Sequence, residues 1–563
     1  MNKIFLLLLL CGVELTAQKN IPVDYFDYPL DIPLILSGNF GELRSNHFHS
    51  GLDIKTQQKR GIPIYAPADG YVKRIKVAHY GYGKALYLQH PNGYSTVYAH
   101  LQKYAGDIQK YVKEKQYEKE EYQIELFPDA SLLAVKKGDI IGYTGNSGSS
   151  GGPHLHYEIR DASSRPMNPM LFGIDIADTK PPLIHTAFVY PMSEDAQVNR
   201  SQKPLKLRLK KQKDGSYQAD KISAYGKIGF GVGSNDQHNG ASNKNGVYRI
   251  RTTYNGAEKF NVLFEKFSFA ETRYLNRFID YGYYKKNRDR VQKLFRETNN
   301  PLSIIVNEDD EGYVTIEDGL SSIFTIEVLD FKGNKVEIVV PIEGKNEAVV
   351  ETHGPKETLD YITHDQGSSI KKGKFSIYIP SGSLYESTYL DIKAKGDTLE
   401  LHKDIVPLHK NITVSLDVSN YSKSDMAKLY IGKANYKGEP YYNTTYRNGS
   451  KLTMKTRTFG TYVLARDTVA PVVTPLNFKE GKWISENKTL TMKIDDAISG
   501  IGSYRATING NFILTEYDYK KDVLVYDFED MINTETENNL KVIVVDNVGN
   551  STTFEATFFR KQS

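Results

Sequence analysis

The chain has 563 residues, room for three to five domains at about 100–200 residues each. Hydrophobic residues at 39% and charged residues at 25% fit a folded, soluble protein, and 40 Tyr against 8 Met and 1 Trp favour strands over helical bundles. A formal charge of +4, with no dense Lys/Arg stripe interleaved with aromatics, excludes nucleic acid as an expected partner.

The first residues, "MNKIFLLLLLCGVELTAQKN", place Lys3 before an apolar core from Ile4 to Val13 and the small Ala17. This pattern reads as an export signal over residues 1–17. Its apolar core is too short for a membrane span, which needs about 20 apolar residues, and no later stretch comes near that length. The mature chain is expected outside the cytoplasm, in the periplasm, cell envelope or medium, without a transmembrane span. Cys11 offers the alternative of lipidation there, but Leu10 before it is bulkier than the small residue such signals carry. Once Cys11 is removed no thiol remains, so disulfides, thiolate metal sites and a cysteine nucleophile are all excluded. A metal would have to be held by His, Asp or Glu.

Residues 18–175 read as one antiparallel β domain. From Gly61 to Asp161 short alternating runs such as "GIPIYAPADGYVKRIKV" and "KALYLQHPNGYSTVYAHL" are separated by turn signals. A charged stretch from 103 to about 131, "DIQKYVKEKQYEKEEYQIELF" at its centre, breaks the alternation and predicts an inserted helix and hairpin.

After "RPMNPMLFG" an internal repeat begins. Gly246, Val247, Arg251, Thr253, Asn255 and Gly256 recur at one constant offset as Gly500, Ile501, Arg505, Thr507, Asn509 and Gly510. Each copy opens alike, "DTKPP" at Asp178 and "DTVAP" at Asp467, and closes alike, "VLDFKGN" at Asn334 and "VVDNVGN" at Asn550, where Gly-Asn predicts a hairpin turn. The copies define β-sandwich modules at 176–345 and 463–563 that resemble bacterial immunoglobulin-like domains. The first carries a Tyr-rich insertion, "YLNRFIDYGYYKKNRDR", expected to cover the sandwich. Residues 346–462, where Phe375, Ile377 and Ile379 alternate, form a middle β module, and its His353, His364, His402 and His409 are expected to lie singly at the surface. The fold class expected is therefore mainly β.

Three motifs carry chemistry. In "NHFHSGLDIKT", His49 and Asp53 are separated by three residues, and Gly51 allows a turn that brings them together. In "STVYAHL", His100 ends an apolar strand. In "GGPHLHYEIR", His154 and His156 sit two apart on a strand, so both project to one face with Cα atoms about 6.6 Å apart while Leu155 points into the core. One imidazole can bind a metal while its neighbour contacts water. Two His and one Asp make a three-ligand zinc set with an open fourth position.

"HSGLD", "YAHL" and "GNSGSSGGPHLHYEIRD", in this order, resemble the lysostaphin-type (LytM-like) zinc metallopeptidases, which cut peptide bonds in bacterial peptidoglycan. The likeness covers roughly residues 35–172. It implies Zn2+ held by His49, Asp53 and His156, with His100 and His154 acting on the water and the developing oxyanion. His154 takes the base role and His100 orients water or stabilises the tetrahedral intermediate, though the two could exchange. The metal polarises the scissile carbonyl and lowers the pKa of water toward about 7.

His47 is expected behind the ligands or at the surface, and His79 and His90 beside turns. Arg44 would meet either a peptide carboxylate or a surface acid. The turn "GNSGSSGGP" is expected to shape the groove rim. The function expected is an exported zinc endopeptidase of peptidoglycan crosslinks or stem peptides, its β modules touching the wall or a cell-envelope protein. The alternatives are a non-catalytic wall-binding or regulatory scaffold using the same groove, and a peptidase for ordinary proteins.

Overall fold

The computed structural model describes residues 21–352, 354, 357–530 and 535–561. The expected export signal at 1–17, Cys11 and His353 lie outside the described residues. The chain is mainly β, as its composition implies, and among the described residues no helix is long and apolar enough to cross a membrane.

The N-terminal part is built on an antiparallel sheet whose strands run in the order Leu36–Gly38, Leu52–Lys55, His154–Arg160, Ser95–Ala99, Lys84–Gln89, Gly70–Val77 and Ile124–Leu126. One face carries Leu52, Ile54, Leu86, Leu88, Tyr98, Leu155, Tyr157 and Ile159 into the main core. On the other, Ala85, Tyr87, Val97 and Ala99 form a small apolar floor. Ser95–Ala99 is buried throughout and His154–Arg160 is buried except at its two ends, because both faces are covered.

The charged insertion forms the helix Gly106–Lys119, which buries Ile108, Val112 and Gln116 at a spacing of four, and ends at Glu120 in the left-handed conformation. The chain then returns as Ile124–Leu126, pairing with Gly70–Val77 at the edge of the main sheet. The outer side of the helix is a dock for the last β module. Lys113 pairs with Asp530, Glu120 accepts from Arg505 at 2.5 Å, and Tyr117 packs edge-on against Phe512. The same module reaches the turn after Tyr143, where Lys520 Nζ donates to the Asn146 carbonyl at 2.7 Å.

The next unit, a large sheet spanning Leu183 to Gly344, shares its hydrophobic core with the N-terminal part. Phe40 lies 5.1 Å from Phe267, and Phe48 lies 5.5 Å from Phe267 and 6.0 Å from Phe264, ring centre to ring centre. Asn39 clasps Gly246 with two bonds of 2.7 Å, one to its carbonyl and one from its amide. The Tyr-rich segment forms the helices Leu275–Phe278 and Tyr281–Asn287. It buries Leu275, Phe278 and Ile279, and sends Arg277 to Glu386 and the Tyr281 hydroxyl to Asp404.

The middle unit encloses its own core between two five-stranded sheets, with Phe375, Ile377 and Ile379 facing inward. The last does so between sheets of four and five strands. The repeat is visible in the backbone: Asn255-Gly256 (φ 49° and 87°) and Asn509-Gly510 (φ 50° and 82°) make equivalent hairpin turns that require positive φ at both positions.

Because the first two units share one core, damage in the second should unfold the first. Phe267→Ala removes an aromatic side chain worth about 3–5 kcal/mol. The expected result is a lower Tm for both units together; a calorimetric scan in which only the second unit shifts would contradict the shared core.

Candidate metal centre

Strand register brings the chemistry together. His156 stands directly opposite Asp53 on one side and Ala99 on the other. Residues facing each other in antiparallel strands project to the same side of the sheet. Asp53, His154 and His156 therefore rise from the face opposite the main core. His49 enters from a loop pinned to its neighbour, with its amide donating to the Glu42 carbonyl and its own carbonyl accepting from Gly41, both at 2.9 Å. Gly51 acts through close approach, not through an unusual angle: a Cβ there would lie 2.2 Å from the Tyr157 carbonyl oxygen.

His49 Nε2, Asp53 Oδ1 and His156 Nδ1 converge, at 3.0 Å (His49 to Asp53), 2.8 Å (His156 to Asp53) and 3.1 Å (His49 to His156). Tetrahedral ligands about 2.0–2.1 Å from zinc are separated by about 3.3 Å, so this triangle fits an ion of that size. The far nitrogen of each imidazole is committed. His49 Nδ1 donates to the Asn39 carbonyl at 2.7 Å, and His156 Nε2 donates to Glu158 at 2.9 Å. Each bond fixes the tautomer that turns a lone pair toward the centre. Asp53 uses its second oxygen to accept from Arg44 at 2.9 Å, so Arg44 grips a candidate ligand.

Glu158 went unnoticed in the sequence. Its side chain is fully buried and also accepts from Ser50, Arg160 and the Tyr82 hydroxyl. Burial alone would raise its pKa, but Arg160 and His156 hold it well below the carboxylate range. The signal was present as the third same-face position of the alternating run His154, His156, Glu158.

His154 and His100 flank the triangle with ring centres 4.7 Å apart. His154 Nδ1 donates to the Gly152 carbonyl at 2.9 Å, and His154 Nε2 lies 3.4 Å from Asp53 Oδ1. His100 Nδ1 donates to the Ser147 carbonyl at 2.8 Å. With the proton on Nδ1, a neutral ring offers Nε2 as an acceptor. His100 holds a left-handed backbone (φ 62°), rare for a residue with a side chain. Burial, with His154 and His156 close by, pushes its pKa down to about 3, so it is neutral at pH 7. Burial would likewise lower His156, but its bonds to the Asp53 and Glu158 carboxylates outweigh it and raise the ring to about 9 in the metal-free protein.

His47, His79 and His90 stand apart from this cluster. His47 is exposed. His90 is buried between the Asp69 carbonyl and Thr96, and His79 stacks on Tyr122 beside Tyr504 and Tyr517 of the last module. In the rim turn, Gly148 has φ 70° and meets Gly83 backbone to backbone.

Residues 47–117 and 133–169 match the model of "Peptidase family M23", and residues 359–467 that of a "Zu5-like domain". An "Uncharacterized metalloprotease" of Haemophilus influenzae is 37% identical over 122 residues, covering 22% of this chain and 20% of its own length. A "DD-carboxypeptidase/endopeptidase Mpg" of Neisseria meningitidis is 34% identical over 128 residues, 23% of each. The "Peptidoglycan DD-endopeptidase ShyA" of Vibrio cholerae is 29% identical over 205 residues, 33% of this chain and 41% of its own. The chain thus spans less than half the length of these relatives.

Glu158→Gln keeps the shape but removes the charge that orients His156. Metal affinity should fall by about 10- to 100-fold. Zinc competition against a chromogenic chelator measures this, and an unchanged affinity would mean that Glu158 does not hold His156 for a metal.

Proposed function

We propose, on the premise that the N-terminal part of this chain is a family M23 peptidase domain, that the protein is a zinc-dependent endopeptidase that hydrolyses peptide bonds of peptidoglycan. The observation that carries the reading is the His49, Asp53 and His156 triangle with two further imidazoles beside it, each with Nδ1 bonded to a backbone carbonyl. The names of the relatives favour the bond between two D-centres of a crosslink as the first to assay.

Bound zinc would supply Lewis-acid polarisation of the scissile carbonyl and lower the pKa of water. His49, Asp53 and His156 hold the ion, with Asn39, Arg44 and Glu158 fixing their orientation. His154 takes the proton from the attacking water at Nε2, a role supported by the bond that keeps its own proton on Nδ1. His100 orients that water, since its Nδ1 proton is likewise committed and its Nε2 can only accept. As an oxyanion donor it would first need a proton, which its buried setting opposes.

The protein acts outside the cytoplasm, a reading that rests on the N-terminal stretch of residues 1–17 and on the wall as substrate. The β modules, 176–345, 346–462 and 463–563, hold the enzyme at the wall or on an envelope protein. The exposed Tyr436, Tyr441 and Tyr446 of the middle module support such a contact.

The test is mass spectrometry of fragments released from purified peptidoglycan by the zinc-loaded chain. New peptide ends are expected, with His154→Ala retaining zinc while cleavage falls by about 100- to 10,000-fold. No release from several wall types by folded, zinc-bound protein would overturn the endopeptidase reading.

A further inference from the structure

The two copies of the internal repeat bury an acidic cluster at the same place but satisfy it differently. In the last module Asp467, Asp496 and Asp546 also lie close enough together to hold an ion, but most of their oxygens already accept from amides. Asp467 accepts from the amides of Val469 at 3.0 Å and Ser499 at 3.1 Å. Asp496 Oδ1 accepts from those of Ile498, Ser499 and Gly500 at 3.2, 2.9 and 2.7 Å. Asp546 binds the amide and side chain of Asn550 at 2.8 and 2.6 Å.

The first module keeps half of this arrangement. Asp330 binds Asn334 as Asp546 binds Asn550, at 2.9 and 2.7 Å, and Asp178 accepts from the Lys180 amide as Asp467 does from Val469. The other half is gone. Gly246 follows Asp236 by ten residues, whereas Gly500 follows Asp496 by four, and the longer loop replaces the amide-rich turn with His238. Asp178 Oδ2 and Asp236 Oδ1 are left buried without a hydrogen-bond partner. The side chains of Asp178, Asp236 and His238 are 2%, 1% and 3% exposed. Two carboxyl groups buried this close together cannot both stay charged without a partner, and need either a shared proton or a cation.

His238 Nε2 lies 3.5 Å from Asp236 Oδ2 and 3.9 Å from Asp178 Oδ2, too far for hydrogen bonds. Tetrahedral ligands at about 2.0–2.2 Å from a common ion stand about 3.3–3.6 Å apart, which the Asp236 separation meets and the Asp178 separation meets after a shift of a few tenths of an ångström. The far side of the ring meets the Asn245 amide at 2.7 Å, and Asn245 Oδ1 is itself buried without a partner. Turned so that Oδ1 accepts from His238 Nδ1, the amide would fix the tautomer that presents Nε2 to the carboxylates. That is the orienting bond a metal-binding histidine carries.

We propose that Asp178, Asp236 and His238 form a second metal site, for a divalent ion of the zinc or manganese type. Two carboxylates and an imidazole suit such an ion better than calcium, which takes six to eight oxygens. The ion ties the start of the module at Asp178 to the loop between Asp236 and Asn245. This loop leads directly into Gly246, which clasps Asn39, whose carbonyl orients His49. The second site would thereby stiffen the support of the first.

The full chain, stripped with chelator, reloaded with ZnCl2 and desalted, is assayed for metal by plasma mass spectrometry. Two zinc ions per chain are expected, falling to one in His49→Ala, to one in His238→Ala and to none in the double variant. One ion in the wild type, lost in His49→Ala and kept in His238→Ala, would overturn the proposal. In case His238→Ala fails to fold, the near-isosteric Asp236→Asn is placed in the His49→Ala background. Zinc should raise the Tm of His49→Ala and leave that of the double variant unmoved. If Asp178 and Asp236 merely share a proton, zinc will not move the Tm of His49→Ala, and the site is refuted.

Discussion

The pairing of Asp53 with His156 across two antiparallel strands is the constraint on which the rest of the first site depends. A register slip of one residue would turn Asp53, His154, His156 and Glu158 into the core and push Leu155, Tyr157 and Ile159 out. The apolar face therefore fixes the polar one. Leu52, Ile54, Leu155, Tyr157 and Ile159, all fully buried, hold the alignment that lets a carboxylate and an imidazole from distant parts of the chain meet at 2.8 Å.

Burying so many polar groups is unfavourable unless each finds a partner. Here the partners are arranged in layers. Asn39 and Glu158 occupy the nitrogens of His49 and His156 that face away from the centre, and Arg44 occupies the spare oxygen of Asp53. Gly152 and Ser147 do the same for His154 and His100 through their carbonyls. His49 Nε2, Asp53 Oδ1 and His156 Nδ1 are left to converge on one point, which makes the site a preformed receptor for a cation. Some of this support comes from beyond the N-terminal part: Asn39 is clasped by Gly246, and the loop carrying His49 rests on Phe264 and Phe267 through Phe48. The first β module thus belongs to the architecture of the site, whatever else it touches.

Much of the fold was legible in local pattern. Alternation marked the strands of the N-terminal part and of the middle module, since a half-buried strand must repeat every two residues. The repeat was legible because Asn-Gly turns require backbone angles that few other residues tolerate, and both copies keep them. The insertion after His100 was visible as a break in pattern, but its partner was not. The contacts of Lys113, Tyr117 and Glu120 with the last module join residues about 400 positions apart, a relation that no window of sequence contains. Arg44 shows the same limit. Its choices read as a substrate carboxylate or a surface acid, and it pairs with the half-buried Glu42 and with Asp53 of the site.

The sequence by itself determined the mainly β class, the repeat, a single cysteine at Cys11, and the residue types His49, Asp53, His100, His154 and His156 available to hold and serve a metal. The class and the repeat follow from composition, period and spacing, which are properties of neighbours along the chain, whereas the five site residues are picked out as a set by the likeness of three short motifs to a known family. Only the tertiary structure decided which nitrogen of each imidazole faces the centre, that Glu158 stands behind His156, that the first β module shares its core with the N-terminal part, and that Asp178 and Asp236 lie buried without partners. The reason is physical. Tautomer, burial and hydrogen-bond satisfaction are set by what lies across the fold, and strand register and module packing bring those groups together only once the chain has closed on itself.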